Sequence, residues 1–195
     1  MYRKYLKNEF YTRKAREEKY PARSVYKLKE IDDKYKIIKE GDKVLDLGCA
    51  PGSWLLYISQ KVGNKGRAVG IDFEEIKIPL KPNIIFIKKD ILEIELNELK
   101  REFNVVVSDL ASSTSGIHFA DVEKSLELAE KSFEIAKNVL VNGGNFVCKI
   151  FEGEGIDEFF KKVKQNFEFA KRFKPKASRK ESREIYIVGK IYGKQ

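Results

Sequence analysis

Apolar and polar positions along this chain follow two periods in alternation. Short apolar runs of strand length occur at KVLDL (43–47), RAVGID (67–72), NIIFIKKD (83–90), NVVVSD (104–109) and NFVCKIF (145–151). Between them, apolar residues recur every three to four positions, the spacing of a helix with one buried face. That spacing predicts helices over 53–62, 94–103, 120–141 and 155–167, the third with Leu126, Ala129, Phe133, Ala136 and Leu140 on one side. Ahead of the first strand, residues 2–18 read as a helix. Pro21 interrupts it, and Ser24 is placed to cap a second helix reaching about Tyr35. Two further strands, 168–175 and 183–192, flank a basic loop at 176–182. With no helix between them they should pair antiparallel at one edge. Strands alternating with helices predict an α/β fold, a mostly parallel seven-stranded sheet with helices on both faces and an antiparallel edge strand. The 195 residues suit one domain, 1–195, of which 1–29 is a basic N-terminal helical extension.

Composition narrows the class. Hydrophobic residues make up 42% and aromatics 12%, enough to build a core. No apolar run approaches the ~18 residues a membrane span needs, and the N-terminus lacks the apolar stretch of a signal peptide. A protein of the cytoplasm, with no membrane partner, is expected. Cys49 and Cys148 are too few for a disulfide framework, which agrees with a reducing compartment.

The net charge of +9 is segregated. Residues 1–29 carry ten Lys/Arg against three Asp/Glu, residues 161–183 carry ten against two, and the stretch 30–160 is net acidic. If the fold brings the two basic segments together, they form one positive face suited to nucleic acid. Tyr2, Tyr5, Phe10, Tyr11 and Tyr20, set among the N-terminal bases, could stack on exposed bases as RNA readers do.

In open α/β sheets ligands bind beyond the carboxyl ends of the strands. The polar residues at those ends are Asp46, Asp72, Asp90, Asp109 and Lys149. The first turn, Asp46-Leu47-Gly48-Cys49-Ala50-Pro51-Gly52-Ser53-Trp54, lacks the GxGxxG spacing that admits a pyrophosphate, and no GxxxxGK[ST] run is present. A nicotinamide dehydrogenase and a P-loop enzyme are thereby disfavoured. Asp72 is placed to accept the two hydroxyls of a ribose and Asp90 a proton of an adenine amino group. An adenosine without phosphates beside a glycine turn points to S-adenosylmethionine. His118, the only histidine, is predicted in a loop and cannot make a metal site alone, so no catalytic metal is implied.

The runs RSVYKL (23–28), DLGCAPGSW (46–54), SDLASSTSG (108–116), GGNFVCKIFEGEG (143–155) and SREIYIV (182–188) resemble the FtsJ/RrmJ family of RNA ribose 2′-O-methyltransferases, in order, from about residue 20 to 190. The resemblance implies a Rossmann-like methyltransferase fold that uses S-adenosylmethionine. It carries the family's Lys-Asp-Lys-Glu set onto Lys27, Asp109, Lys149 and Glu184, and cofactor contacts onto Gly52, Trp54, Asp72, Asp90 and Asp109. It also implies a uridine of large-subunit ribosomal RNA as substrate, and ribosomal RNA or the large ribosomal subunit as partner. A tRNA anticodon-loop methyltransferase is the nearest rival. An RNA-binding ribosome assembly factor with dispensable catalysis is the rival of another class. The family commonly has a second glycine where Ser53 stands, and often Pro-Asn where this chain has Ser112-Ser113.

Methyl transfer to a ribose 2′-hydroxyl requires a base for its proton, and a lysine serves only when neutral. Desolvation and a second cation favour the neutral amine, whereas nearby carboxylates oppose it. Lys149 is assigned as base, with Lys27 orienting the hydroxyl or a phosphate, Asp109 positioning Lys149 and the methyl donor, and Glu184 holding the lysine geometry. Base-amino methylation is disfavoured because Asp109-Leu110-Ala111-Ser112 is not an Asn/Asp-Pro-Pro-aromatic run. Carbon-5 methylation needs a cysteine nucleophile, but Cys148 precedes Lys149 on a strand and faces the other side.

Overall fold

Runs such as Val105-Val106-Val107 are apolar toward both sides, so they belong in the middle of a sheet covered on both faces. A computed structural model, which describes residues 2–95, 99–100, 102–111, 118–179 and 181–193 (side chains of 2–8 and 118 excepted), places them there. Its strands are β1 (Lys43–Leu47), β2 (Arg67–Asp72), β3 (Ile84–Lys88), β4 (Phe103–Ser108), β5 (Leu140–Phe151), β6 (Phe167–Phe173) and β7 (Glu184–Tyr192). They form one sheet in the order β3-β2-β1-β4-β5-β7-β6. β7 runs antiparallel to both β5 and β6, so the expected antiparallel pair closes that edge with β7 one place in and β6 outermost.

The helices are α1 (Tyr2–Glu17), α2 (Val25–Tyr35), α3 (Ser53–Val62), α4 (His118–Val139) and α5 (Ile156–Asn166). Alternate strand residues feed two separate cores. Val44, Val105, Val107, Val147, Tyr186 and Val188 pack with α1, α2 and α3. Leu45, Leu47, Val106, Phe146, Cys148 and Ile187 pack with α4 and α5. Residues 1–29 contribute Ala15, Tyr20, Val25, Tyr26 and Leu28 to the first core.

Three local expectations fail for physical reasons. The helix predicted over 94–103 is not found in the described part of that stretch, of which 96–98 and 101 lie outside the description. A 3₁₀ turn spans Ile91–Glu93, and Phe103 already belongs to β4. Ile91 and Ile94 both plug the core beside Val69 and Ile71, and their three-residue spacing suits a 3₁₀ turn as well as a helix. Ser24 stands before α2 but makes no side-chain cap, because it has helical backbone angles (φ −56, ψ −24) rather than the extended ones a capping serine needs. His118 opens α4 instead of lying in a loop.

Candidate active site

The carboxyl ends of β1, β2 and β4 frame a cavity of about 630 Å³ whose walls include Gly48, Asp72, Asp90, Asp109, Leu110 and Leu128. Gly48 has φ +77, and a Cβ there would meet the Leu110 side chain at 2.6 Å. Only glycine gives the turn after β1 both that conformation and that clearance. Gly52, placed with the cofactor by the resemblance, has φ +109 and packs against Ile78, where a Cβ would come within 2.9 Å. It shapes the turn from beneath, and Gly48 is the glycine on the cavity wall.

Asp72 orders the same turn. One carboxylate oxygen accepts the Ala50 N–H at 2.8 Å and the other the Glu74 N–H at 2.9 Å. Asp90 likewise accepts the Leu92 N–H at 2.9 Å and caps the 3₁₀ turn. Both acids line the cavity while they hold its backbone, so the capping and cavity roles coexist. Phe73, 63% exposed, stands at the rim. Trp54 is buried in the first core; its indole N–H donates to the Ser24 carbonyl at 2.9 Å and its ring lies 5.9 Å from that of Tyr186.

The four residues carried over from the resemblance converge. Lys149, buried on β5, donates to the Asp109 main-chain carbonyl at 2.7 Å, and its Nζ lies 3.4 Å from Asp109 Oδ1. The Tyr186 hydroxyl donates to the same Oδ1 at 2.6 Å. Tyr186 sits directly across from Lys149 in the β5–β7 ladder, and Glu184 across from Phe151. Lys27, on α2, meets Glu184 Oε1 at 2.6 Å, a contact of charges rather than an aligned hydrogen bond. Burial pushes the Asp109 carboxyl up, but the Lys149 and Lys27 charges and the Tyr186 and Lys149 hydrogen bonds outweigh it and hold the group below the ordinary aspartate range. Burial, and then the Asp109 charge, push the Tyr186 phenol well above its usual value.

Asp46 behaves differently from the other strand-end acids. It is wholly buried, and both its carboxylate oxygens lack a hydrogen-bond partner among the described residues. Burial first, then the Asp109 and Asp72 charges, raise it well above the usual aspartate value.

A second cavity, of about 300 Å³, opens on the α2 side and is lined by Arg23, Ser24, Lys27, Arg179, Ser182 and Glu184 among others. A narrow cleft of about 20 Å³ lies between the two cavities and shares walls with both: Ser24 with the smaller, Gly48, Ala50 and Asp109 with the larger. The basic segments meet beside the second cavity. Glu30 of α2 accepts the backbone N–H groups of Lys176 and Ala177 at 2.6 and 2.8 Å, and Tyr35 packs on Phe169 and Phe173 of β6. Only part of the C-terminal basic segment joins this face. α5, with Lys161, Lys162 and Lys164, covers the opposite side of the sheet, and Arg172 pairs there with Asp157 at 2.6 Å.

Gly48 belongs to the glycine turn that the sequence marks, whereas Tyr186 and the Arg23–Arg179 pair are not among the residues it points to. Tyr186 was within reach, since it lies two places after Glu184 on a strand and must share its face. Arg179 was not, because its meeting with Arg23 depends on how a loop folds across the sheet. The Ser112-Ser113 departure lies outside the described residues. Cys148 faces the α4 side, away from Lys149, as the alternation predicts. Among the described residues no group of three His, Cys, Asp or Glu could hold a metal ion, and no helix is long and apolar enough to cross a membrane.

Known proteins resemble this chain over most of its length. The model of the FtsJ-like methyltransferase family matches residues 20–192. The ribosomal RNA large subunit methyltransferase E of Desulfatibacillum aliphaticivorans is 51% identical over 189 residues, 95% of this chain and 91% of that one. The protein of the same name from Desulforapulum autotrophicum is 48% identical, over 93% and 91%. Among solved structures, a Plasmodium falciparum protein described as a ribosomal RNA methyltransferase superposes with a TM-score of 0.77 at 29% identity, covering 89% of this chain and 98% of that one. A Clostridium thermocellum structure shares the fold at 21% identity, with a TM-score of 0.59 over 84% and 97%. A family model that spans nearly the whole chain, and relatives this similar over more than nine-tenths of it, lead to one conclusion: the chain belongs to the FtsJ-like methyltransferase family.

Proposed function

We propose that this protein is an S-adenosylmethionine-dependent RNA ribose 2′-O-methyltransferase and that it modifies a uridine of large-subunit ribosomal RNA in the cytoplasm. One observation carries the chemistry: Asp109 lines the large cavity while it touches Lys149, so a donor on one side and a proton acceptor on the other share one carboxylate. The ribosomal substrate follows the relatives, which are large-subunit ribosomal RNA methyltransferases. The tRNA and assembly-factor readings are not favoured.

The residues fit the cofactor. The cavity is large enough for an adenosine with an amino-acid tail, Gly48 removes the side chain that would fill it, and Asp72, Asp90 and Asp109 give it an acidic wall suited to a cation. Asp72 and Asp90 would hold the ribose and adenine, and Asp109 the methionine end; Gly52 and Trp54 support the turn. When bound, S-adenosylmethionine supplies an electrophilic methyl on a sulfonium.

The protein's own part is positioning and proton removal. The target ribose enters the smaller cavity, where Lys27, held by Glu184, orients the hydroxyl or its phosphate. Arg23 and Arg179 face the same space. Burial, and then the Arg179 charge, lower Arg23 from the usual arginine value, a repulsion that an RNA phosphate between them would relieve. Lys149 would take the hydroxyl proton as the O–CH₃ bond forms and the methyl's bond to the sulfonium sulfur breaks, the electron pair staying on sulfur as a neutral thioether.

The test is to map 2′-O-methyl groups in total RNA with and without the protein, and to follow single-turnover transfer from labelled donor to free large-subunit RNA and to the assembled particle. One lost methyl at a uridine of that RNA is expected. Unchanged large-subunit RNA would overturn the substrate, and donor binding without transfer to any RNA would overturn the reaction.

A further inference from the structure

Tyr186 belongs to no part of the machinery assigned above, yet its hydroxyl is the closest polar contact of the Asp109 carboxylate. The ring is fully buried in the first core, beside Trp54 and opposite Lys149 in the β5–β7 ladder. A buried phenol in that position has no route to solvent, so its proton is committed to Asp109. Lys149 Nζ approaches the same oxygen, Oδ1, at 3.4 Å. One carboxylate oxygen thus serves two donors, and what one takes the other loses.

We propose that Tyr186 is a positioning residue that sets how strongly Asp109 holds the Lys149 amine, keeping that hold weak enough for the amine to give up its proton and act as base. The inference rests on the methyltransferase reading and deepens it. An aspartate facing a lysine stabilises the ammonium, the form that cannot accept the 2′-hydroxyl proton. A second hydrogen bond into the same oxygen draws off part of its charge and fixes its direction. The charged and titratable groups around the pair are Lys27 and Glu184 on the α2 side, Asp46 from β1 beneath Asp109, and Cys148, which interacts with Tyr186 from the opposite sheet face. Of these, Glu184 is engaged by Lys27, Asp46 is raised by burial and then by the Asp109 and Asp72 charges, and burial raises the Cys148 thiol; Tyr186 is the group with a proton directed at Oδ1. The order of residues along β7 fits too. β7 supplies Glu184 to one lysine and, two residues on, Tyr186 to the acid of the other.

The experiment is the Tyr186→Phe variant, which keeps the ring in its core and removes only the hydroxyl. Single-turnover methyl transfer to large-subunit RNA is measured from pH 6 to 10, together with donor affinity and thermal unfolding. The rising limb of the pH–rate profile should move upward by about one pH unit, the size expected when one hydrogen bond to a charged group is lost. The variant should then be about tenfold slow at neutral pH and approach the wild-type rate at high pH, with donor affinity within a few-fold. A rate loss equal at every pH would overturn the proposal and leave Tyr186 a packing residue. So would an unmoved limb with normal rates. If the phenylalanine variant fails to fold, 3-fluorotyrosine at position 186, a more acidic phenol of the same shape, replaces it and should move the limb the other way; no movement overturns the proposal. Wild-type protein that methylates no RNA at any pH would instead bring down the underlying reading.

Discussion

Two lysines act on the same carboxylate, Asp109, and have different contacts of their own. Lys27 meets a carboxylate directly, 2.6 Å from Glu184, with both side chains 12% exposed. Lys149 spends its short contact, 2.7 Å, on the neutral carbonyl of Asp109 and keeps the carboxylate at 3.4 Å, where Tyr186 competes for it. The difference matches the two roles proposed for them. A lysine in close contact with its own carboxylate suits the holding of a hydroxyl or phosphate. A lysine whose short contact is to a carbonyl, beside an acid already engaged by a phenol, suits the proposed proton acceptor.

Removing the Lys149 amine should have the largest effect. Lys149→Ala should lower single-turnover methyl transfer by about 10³-fold or more, within the range for loss of a general base, while donor affinity measured by calorimetry stays within a few-fold. Turnover retained at a tenth of wild type would show that Lys149 is not the base. Lys27 should respond in a different currency. Glu184→Gln leaves its cation in a nearly buried place and should cost about 2 kcal/mol in denaturant unfolding, somewhat under the cost of breaking a fully buried pair. Adding Lys27→Met to that variant should restore part of the loss, because the stranded charge goes with it. Strict additivity of the two would mean that the pair is not coupled.

A third acid, Asp46, has no hydrogen-bond partner among the described residues. Asp46 titrates above the ordinary aspartate value because burial and then Asp109 and Asp72 oppose its charge. A group raised in the folded state binds its proton more tightly there than in the unfolded chain. It therefore lowers stability as pH rises from the unfolded value, about 4, toward the raised one. Asp109, held low, has the opposite sign: its contribution is present above about 4 and is lost as pH falls through its depressed value. Asp46→Asn should accordingly raise the melting temperature by about 2–4 °C at pH 7, and by little at pH 4, the shift that ~1 kcal/mol produces in a chain of this size. An equal shift at both pH values would show that ionisation is not the cause. The smallest effect belongs to the basic face outside the site. Lys171, exposed on β6, should contribute one phosphate contact, so Lys171→Ala should reduce the slope of log affinity for RNA against log salt by about 0.7. An unchanged slope would place the RNA elsewhere.

Much of this was legible in the residues because its cause is local. Apolar runs such as Val105-Val106-Val107 can only be strands buried on both sides, and alternation along β5 puts Cys148 and Lys149 on opposite faces without reference to any neighbour. The order of motifs from Arg23 to Val188 resembles one family and points to the acids and lysines without reference to their geometry. Where the local signal was ambiguous it misled. Ile91 and Ile94 fit a helix or a 3₁₀ turn equally, and Ser24 has the side chain of a cap but not the backbone angles.

Fold class, the strand ends that carry acids, and the family all depend on periodicities and residue types along the chain, so the amino-acid order suffices for them. Which acid meets which lysine depends on packing between distant segments. That packing set Glu184 on Lys27, left the Asp46 carboxylate without a hydrogen-bond partner among the described residues, and brought the Tyr186 hydroxyl onto the Asp109 oxygen that Lys149 also faces. The placement of Glu184 and Tyr186 follows from β7 entering the sheet antiparallel beside β5, a pairing of segments some forty residues apart. No pattern within either segment encodes the register of that pairing; it is settled only when both strands share one core.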